Sequence, residues 1–179
     1  MKPGLLFTAL LFVLASQGIA QGAASGGTIV TAAEIAAAVH RGDTTAVSDA
    51  VLRVLKVDES QVGVSVVRRS RVNGLTPPDA IVHDDITEVY HIIEGRGVLV
   101  TGGTVDNATQ LPATSPVVRR LAGPSAVGKS ISGGTRQNVG VGDVIVIPPH
   151  TAHGFSEVQS DRIVYVIVRI DPHRVLDIP

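Results

Sequence analysis

The sequence predicts an all-β domain whose antiparallel strands close into a barrel or a sandwich. Three observations support this fold class. Short runs of β-branched residues recur from Gln61 onward, Gly and Pro residues separate them, and several runs alternate apolar with small or polar residues. Such alternation places one face of a strand in a core and the other toward solvent. The chain is long enough to form one core without disulfide bridges, and it contains no cysteine.

The composition argues against nucleic-acid binding. The formal net charge is −1 at pH 7, and no basic stripe appears along the chain. Beyond residue 20, the aromatic residues are Tyr90, Phe155 and Tyr165 alone. Phosphate neutralisation needs clustered Lys and Arg, and base stacking needs exposed aromatic rings. We therefore expect no nucleic-acid partner.

The first 20 residues are typical of a secretory signal peptide. Lys2 precedes an apolar run from Leu5 to Ala15, and the small residues of Gly18-Ile19-Ala20 follow as a cleavage site. The apolar run is too short to span a bilayer as a helix, although an uncleaved anchor is the alternative. We expect export to the periplasm or the medium, and no membrane association after cleavage.

Residues 21–58 are predicted to form a tether and helices. The first eight are Gln, Gly, Ala, Ser and Thr residues, as in a flexible linker. Thr31 and Glu34 have the spacing of a capping box, which opens an Ala-rich helix ending near Gly42. We expect its apolar side to pack on the outside of the main domain. A second helix is predicted from Thr45 to Leu55.

The β domain is predicted to cover residues 59–173. Between Gly102 and Gly134 the chain is rich in Gly, Pro, Ser and Thr, which predicts a long loop over one mouth of the barrel. A loop of this length is usually a functional lid or a mobile segment. The predicted strands include residues 88–93, 98–101, 139–147 and 163–170.

Two segments carry the residues that indicate chemistry. The first runs from His83 to Gly95 (HDDITEVYHIIEG), and the second runs from Gly142 to His153 (GDVIVIPPHTAH). Each joins a histidine to a tight turn and a β-branched run. Imidazole and carboxylate groups gathered from separate strands are suited to a borderline divalent metal ion, and cysteine thiolates are excluded.

The spacing of these segments resembles the two motifs of the cupin superfamily. Glu88, six residues and Gly95 match the first motif. Gly142, five residues, Pro148, and His153 after four further residues match the second, with histidine at 150 where the family has glycine. The resemblance covers roughly residues 60–170. It implies a jelly-roll barrel with short N-terminal helices packed outside, a homodimer, and a metal-dependent activity that the motifs alone do not specify.

By this resemblance, His83, Glu88 and His153 are three of the usual four metal ligands. A mixed imidazole and carboxylate set suits Fe, Mn, Ni or Zn. The fourth ligand remains open. The family's first motif histidine would fall at Ile81, which cannot coordinate a metal. Alternatively, His83 takes that first place and Asp85 the second, as a hard ligand favouring Fe or Mn, unless Asp85 is an ordinary turn residue.

Strand parity assigns roles to the neighbouring residues. Residues two apart share a face, so Tyr90 should face the same way as Glu88, while His91 should face away. Tyr90 and Glu88 are therefore the candidate catalytic groups, with Tyr90 as an acid, a base or a hydrogen-bond donor, or else simply a buried tyrosine. His150 is either a turn residue with a left-handed backbone or a proton shuttle. Phe155 should line the same cavity.

These features predict an exported cupin that binds a divalent metal ion and acts on a small polar organic molecule. Oxygenase, isomerase and lyase chemistry all fit such a site. A non-catalytic protein that binds a metal or a small ligand is the alternative. A metal-free structural cupin is the third hypothesis.

Overall fold

The structure is a computed structural model, and it describes residues 26–42, 46–71 and 80–177. The predicted signal peptide lies outside the described residues. Within the described part of the chain, no helix is both long and apolar enough to cross a membrane.

Two antiparallel sheets face each other and form the barrel. The five-stranded sheet has the order β1-β2-β13-β4-β11, and the six-stranded sheet has the order β10-β5-β12-β3-β8-β7. A third, two-stranded sheet pairs β6 with β9. The predicted all-β jelly-roll barrel is confirmed. The strands are β1 (Val47–Val57), β2 (Ser60–Ser70), β3 (Ala80–His83), β4 (Thr87–Glu94), β5 (Arg96–Thr101), β6 (Thr104–Val105), β7 (Thr109–Gln110), β8 (Ser125–Gly128), β9 (Ile131–Ser132), β10 (Thr135–Gly140), β11 (Val144–Ile147), β12 (His153–Val158) and β13 (Arg162–Asp171).

The main core lies between the two large sheets. Both sheets contribute β-branched and aromatic side chains, because every second residue of each strand faces inward. Tyr165 is central to this core, with its ring centroid 4.7 Å from that of Tyr90 and 5.5 Å from that of Phe155. The buried members of the core are Val47, Val67, Tyr90, Ile92, Leu99, Val139, Ile147, Phe155, Val158, Ile163, Tyr165 and Ile167.

One helix, α1 (Ala32–Arg41), packs against the outer face of the five-stranded sheet. Its capping box is formed as predicted, since Glu34 N donates to Thr31 Oγ1 at 3.2 Å and Thr31 N donates to Glu34 Oε2 at 2.8 Å. Its apolar side meets the sheet through Ala38 and Val39. The helix therefore lies outside the barrel, as expected.

The predicted second helix from Thr45 to Leu55 is wrong. Val47–Val57 form β1, which pairs with β2 along its whole length apart from an irregularity between Val51 and Arg53. The β-branched residues of this segment favour a strand, and the free edge of β2 offers backbone partners that a helix would leave unused. Asp49 consequently faces the barrel interior, where a helical reading would have placed it on the surface.

The predicted loop between Gly102 and Gly134 is also more ordered than expected. It contains β6, β7, β8 and β9, together with a π-helical turn at Val118–Ala122. β7 and β8 extend the six-stranded sheet beyond β3. The segment is therefore partly a wall of the barrel, and Ser125 on β8 becomes a neighbour of His83.

Gly97 on β5 gives a test of this packing. A Cβ atom at Gly97 would lie 2.6 Å from the Glu157 carbonyl oxygen and 3.3 Å from the Phe155 ring. We expect Gly97→Ala to lower the free energy of unfolding by about 1–3 kcal/mol, because the backbone of β12 must shift. Urea unfolding of the purified protein measures this loss.

Gly63→Ala on β2 is the matched control, since a Cβ there would have its nearest neighbour at 3.9 Å, an ordinary contact. We expect it to leave stability unchanged or to raise it by up to about 1 kcal/mol, because alanine loses less backbone entropy on folding. Equal effects of the two substitutions would contradict the packing described here.

Candidate metal centre

His83, Glu88 and His153 meet inside the barrel. His83 ends β3, Glu88 lies near the start of β4, and His153 opens β12, so both large sheets contribute. His83 Nε2 lies 3.6 Å from Glu88 Oε1, and His153 Nε2 lies 3.2 Å from Glu88 Oε2. One potential ligand atom from each residue lies within 4.8 Å of the others. The residues are only 4%, 2% and 2% exposed, respectively.

Hydrogen bonds on the far side of each imidazole fix its orientation. His153 Nδ1 lies 2.9 Å from the Thr151 carbonyl oxygen, which can only accept, so Nδ1 carries the proton. His83 Nδ1 lies 2.9 Å from Ser125 Oγ, whose own proton is directed to the carbonyl oxygens of Ala122 and Gly123. His83 Nδ1 therefore donates as well. In the neutral tautomer that carries its proton on Nδ1, the lone pair of each ring lies on Nε2, which faces the cluster.

Glu88 is held from two sides by hydrogen-bond donors. Tyr90 Oη donates to Glu88 Oε2 at 2.7 Å, and Arg169 Nε donates to Oε1 at 2.9 Å. Burial alone would raise the pKa of Glu88, but the positive charge of Arg169 beside it holds that pKa well below its usual value. Glu88 is therefore a carboxylate at neutral pH, which is the form that binds a metal ion.

Tyr90 shares the inner face of β4 with Glu88, as strand parity predicts. Burial, followed by the negative charge of Glu88, raises the pKa of Tyr90 well above its usual value. The phenol therefore stays protonated, and its hydroxyl group donates a hydrogen bond to Glu88. At this position Tyr90 can act as a hydrogen-bond donor to a bound molecule.

Asp85 is not part of the cluster. Its carboxylate accepts from His173 Nδ1 at 3.1 Å, in a pair whose His173 side chain is largely exposed. The turn after β3 directs Asp85 away from the barrel interior, so the structure does not support it as the fourth ligand. Ile81, opposite His153 in the sheet, occupies the other position considered and has no donor atom.

The remaining predicted residues lie in three different settings. His91 is exposed on the outer face, as parity predicts, and Phe155 is buried in the core. His150 has φ of +61°, a left-handed conformation, as the first of its two predicted roles requires. Its backbone N–H donates to the His83 carbonyl oxygen at 2.7 Å, so this turn is attached to β3.

The sequence reasoning missed Arg169 and Ser125. Arg169 lies in the predicted strand 163–170 and has the same parity as the buried Tyr165 and Ile167. An arginine on the inward face of a strand is a signal that a buried acid lies nearby. Ser125 carried no comparable signal, because it belonged to a segment predicted to be a loop.

A cleft of about 490 Å³ opens beside the cluster, between the edge strands β10 and β11. Three of its lining residues are neighbours of the cluster. Ile147 pairs with Glu88, Thr101 pairs with His153, and the Thr151 carbonyl accepts from His153 Nδ1. The volume is typical of small-molecule sites. The cleft also has polar walls, contributed by Thr101, Gln137, Asn138, Asp143 and Thr151.

The donor set fits a divalent transition-metal ion. Two imidazole nitrogens and one carboxylate form a set used for non-haem iron and for catalytic zinc, with coordination positions left open. His153 Nε2 is a buried polar atom with no hydrogen-bond partner among the described residues. An unpartnered buried acceptor of this kind is stabilised by a cation, so the residues present fit a metal ion.

Comparisons with known proteins found matches at low sequence identity among solved structures. No family model and no curated protein matches the chain. Among solved structures, a protein from Bacillus halodurans is 14% identical, with a TM-score of 0.44 and 68% of each chain covered. Oxalate oxidase is 16% identical, with a TM-score of 0.39, and the match covers 63% of this chain and 43% of the oxidase chain. The DMSP lyase DddQ from Ruegeria pomeroyi is 14% identical, with a TM-score of 0.37, and the match covers 60% of this chain and 37% of the lyase chain.

Replacing Glu88 by glutamine tests the charge balance of the metal-free protein. We expect Glu88→Gln to lower the free energy of unfolding at pH 7 by about 3 kcal/mol, because buried Arg169 loses a charged partner. The pKa of Glu88 is lower in the folded protein than in the unfolded chain. The stability that the carboxylate contributes is therefore complete above its pKa in the unfolded chain, about 4.3, and it disappears as the pH falls through the pKa in the folded protein. Urea unfolding between neutral and acidic pH should show the difference between parent and variant shrinking only below about pH 4.

Glu94→Gln is the control, because Glu94 pairs with Arg162 on the same two strands but at the surface. An exposed pair contributes less than about 1 kcal/mol, so this variant should stay close to the parent. A Glu88→Gln variant as stable as the parent, or a difference that persists in acid, would contradict the described charge balance.

Proposed function

We propose that the protein is an exported cupin enzyme that binds one divalent metal ion through His83 Nε2, the Glu88 carboxylate and His153 Nε2. Its substrate would be a small polar organic molecule. The observation that carries the proposal is the convergence of two oriented imidazole lone pairs on a buried carboxylate, with His153 Nε2 lacking a hydrogen-bond partner in the described structure.

The electrostatics of the cluster supports a cation at its centre. With both Nδ1 atoms donating, the two Nε2 atoms face Glu88 as acceptors. Acceptors facing one another in a buried site repel unless a proton or a metal ion lies between them. A single metal ion would satisfy all three groups at once. Iron, manganese, nickel and zinc all suit this ligand set.

A bound ion would supply Lewis-acid or dioxygen chemistry at the open coordination positions. Tyr90 would donate its hydroxyl proton in a hydrogen bond to the bound molecule or to Glu88. Glu88 would keep the negative charge that Arg169 stabilises. The cleft between β10 and β11 would be the approach for the substrate, and its hydroxyl and amide groups favour a polar one. Oxygenase, isomerase and lyase reactions remain the candidate classes.

A non-catalytic cupin that binds a metal ion or a small ligand is the second candidate. The burial of the three ligands favours it, since side chains that are 2–4% exposed need the surrounding structure to open before a substrate can reach them. Stoichiometric metal without turnover of small organic acids, alcohols or sulfonium compounds under air would favour this candidate.

Elemental analysis tests the metal site. We expect the parent, purified and supplied with Fe²⁺, Mn²⁺, Ni²⁺ or Zn²⁺, to retain one equivalent of metal after gel filtration. His83→Ala and His153→Ala should each lose it, because two ligands bind a divalent ion far more weakly than three.

His91→Ala is the matched control, because His91 is exposed on the outer face of the strand that carries Glu88. It should retain the metal ion like the parent. A parent without stoichiometric metal would favour a metal-free structural cupin, and metal retained by both histidine variants would place the site elsewhere.

We also propose that the signal peptide is cleaved after Ala20 and that the mature protein is a homodimer. Exposed Val144 and Val146, at 62% and 61%, support the dimer, because they lie on the outer face of edge strand β11.

Expression in a secreting bacterial host should give an extracytoplasmic protein beginning at Gln21 by mass spectrometry. Sedimentation equilibrium should give twice the chain mass, and Val146→Lys should reduce it. An intact N-terminus would contradict cleavage after Ala20, recovery of the protein in the cytoplasm would contradict export, and a monomeric parent would contradict the dimer.

A further inference from the structure

Arg169 on β13 is a buried cation that contacts residues on three other strands of the five-stranded sheet. Its side chain is 7% exposed. Nε donates to Glu88 Oε1 at 2.9 Å, and Nη1 donates to Ser65 Oγ at 3.1 Å. Nη1 and Nη2 donate to the two carboxylate oxygens of Asp49, at 3.3 Å and 2.6 Å. The guanidinium is thus fixed by Asp49 and Ser65 on one side and presents Nε to Glu88 on the other.

This geometry restricts how Glu88 can move. A guanidinium is planar, so fixing its two terminal nitrogens also fixes the direction of the Nε–H bond. Oε1 is held by that bond, and Oε2 is held by Tyr90. Each carboxylate oxygen keeps a further lone pair, and each also has an imidazole nearby, with His83 Nε2 3.6 Å from Oε1 and His153 Nε2 3.2 Å from Oε2. The carboxylate is thereby oriented before any ion arrives.

We propose that Arg169, anchored by Asp49 and Ser65, is a positioning residue that orients Glu88 as a metal ligand. The proposal rests on the metal site proposed above. Residues that hydrogen-bond a metal ligand typically change metal affinity 10- to 100-fold when they are replaced. Arg169 would act through Glu88, since four of its five N–H donors are already committed to Glu88, Ser65 and Asp49.

Charge and positioning make opposite demands at this position. A positive charge beside a metal site repels the incoming ion, so by charge alone the removal of Arg169 would strengthen metal binding. If Arg169 orients Glu88, its removal weakens binding instead. A lysine keeps the charge but has a single ammonium group that cannot bridge Glu88 and Asp49 in the same way. The two effects can therefore be separated by substitution.

The first experiment measures Co²⁺ affinity by competition with a chelator, for the parent and for Arg169→Lys. We expect affinity to fall at least about tenfold, with altered visible absorption bands that report a changed ligand arrangement. Arg162→Lys is the matched control, because Arg162 also donates to a glutamate, Glu94, across the same two strands, but at the surface. It should leave affinity and spectrum unchanged. Equal affinity and spectra for parent and Arg169→Lys would overturn the proposal.

The double variant Asp49→Asn with Arg169→Met is the second test, and it covers the case in which lysine does not fold. It removes one positive and one negative charge together, so the net charge around Glu88 stays the same. We expect Co²⁺ affinity to fall here too. Affinity equal to or higher than that of the parent, in a variant whose circular dichroism shows a folded protein, would overturn the positioning role.

A measurement without metal separates this proposal from the proposed function. The ¹⁵N resonances of the imidazole rings in the metal-free protein report the surroundings of His83 and His153. Arg169→Lys should shift both Nε2 resonances, while Arg162→Lys should not. A parent that takes up no Co²⁺ contradicts the proposed function, and unshifted imidazole resonances contradict the positioning role of Arg169.

Discussion

The buried carboxylate of Glu88 determines how the barrel interior is organised. Removing a carboxylate from water costs several kcal/mol unless hydrogen bonds and opposite charges replace its hydration. Tyr90 and Arg169 donate to it from β4 and β13, and two imidazoles approach it from the opposite sheet. Polar contacts therefore join the sheets at this level, while the apolar core joins them elsewhere. Because the surrounding core is closely packed, the position of each polar group is fixed by its neighbours.

Features that depend on neighbours along the chain could be predicted from the sequence. The capping box joins residues three apart, Thr31 and Glu34, and the structure contains it. The shared face of Glu88 and Tyr90 follows from the alternation of a strand, and the positive φ of His150 follows from its place in a turn. The expectation that His83, Glu88 and His153 would meet came from the resemblance of the two motifs to the cupin superfamily, and the structure brings the three residues together.

Features that depend on distant partners could not be predicted in this way. Asp49 and Arg169 are 120 residues apart in the chain, and neither belongs to a motif. Ser125 lies 42 residues beyond His83, in a segment whose composition is that of a loop. The segment that forms β1 has its strand conformation because β2 presents a free edge, and local preference alone does not determine which of two conformations such a segment adopts. Asp85 is the reverse case. Its carboxylate and its position in the chain suit a metal ligand, but the side chain forms a hydrogen bond with His173 instead.

The placement of the aromatic residues has an optical consequence. The chain has two tyrosines and no tryptophan, and both tyrosines are buried in the barrel with ring centroids 4.7 Å apart. Tyrosine absorption and fluorescence of the folded protein therefore come entirely from the barrel interior. The Tyr90 hydroxyl donates a hydrogen bond to Glu88, and the Tyr165 hydroxyl accepts one from Arg69 Nε at 2.9 Å. The protein thus carries its own ultraviolet chromophore next to the carboxylate, with no surface tyrosine to obscure the signal.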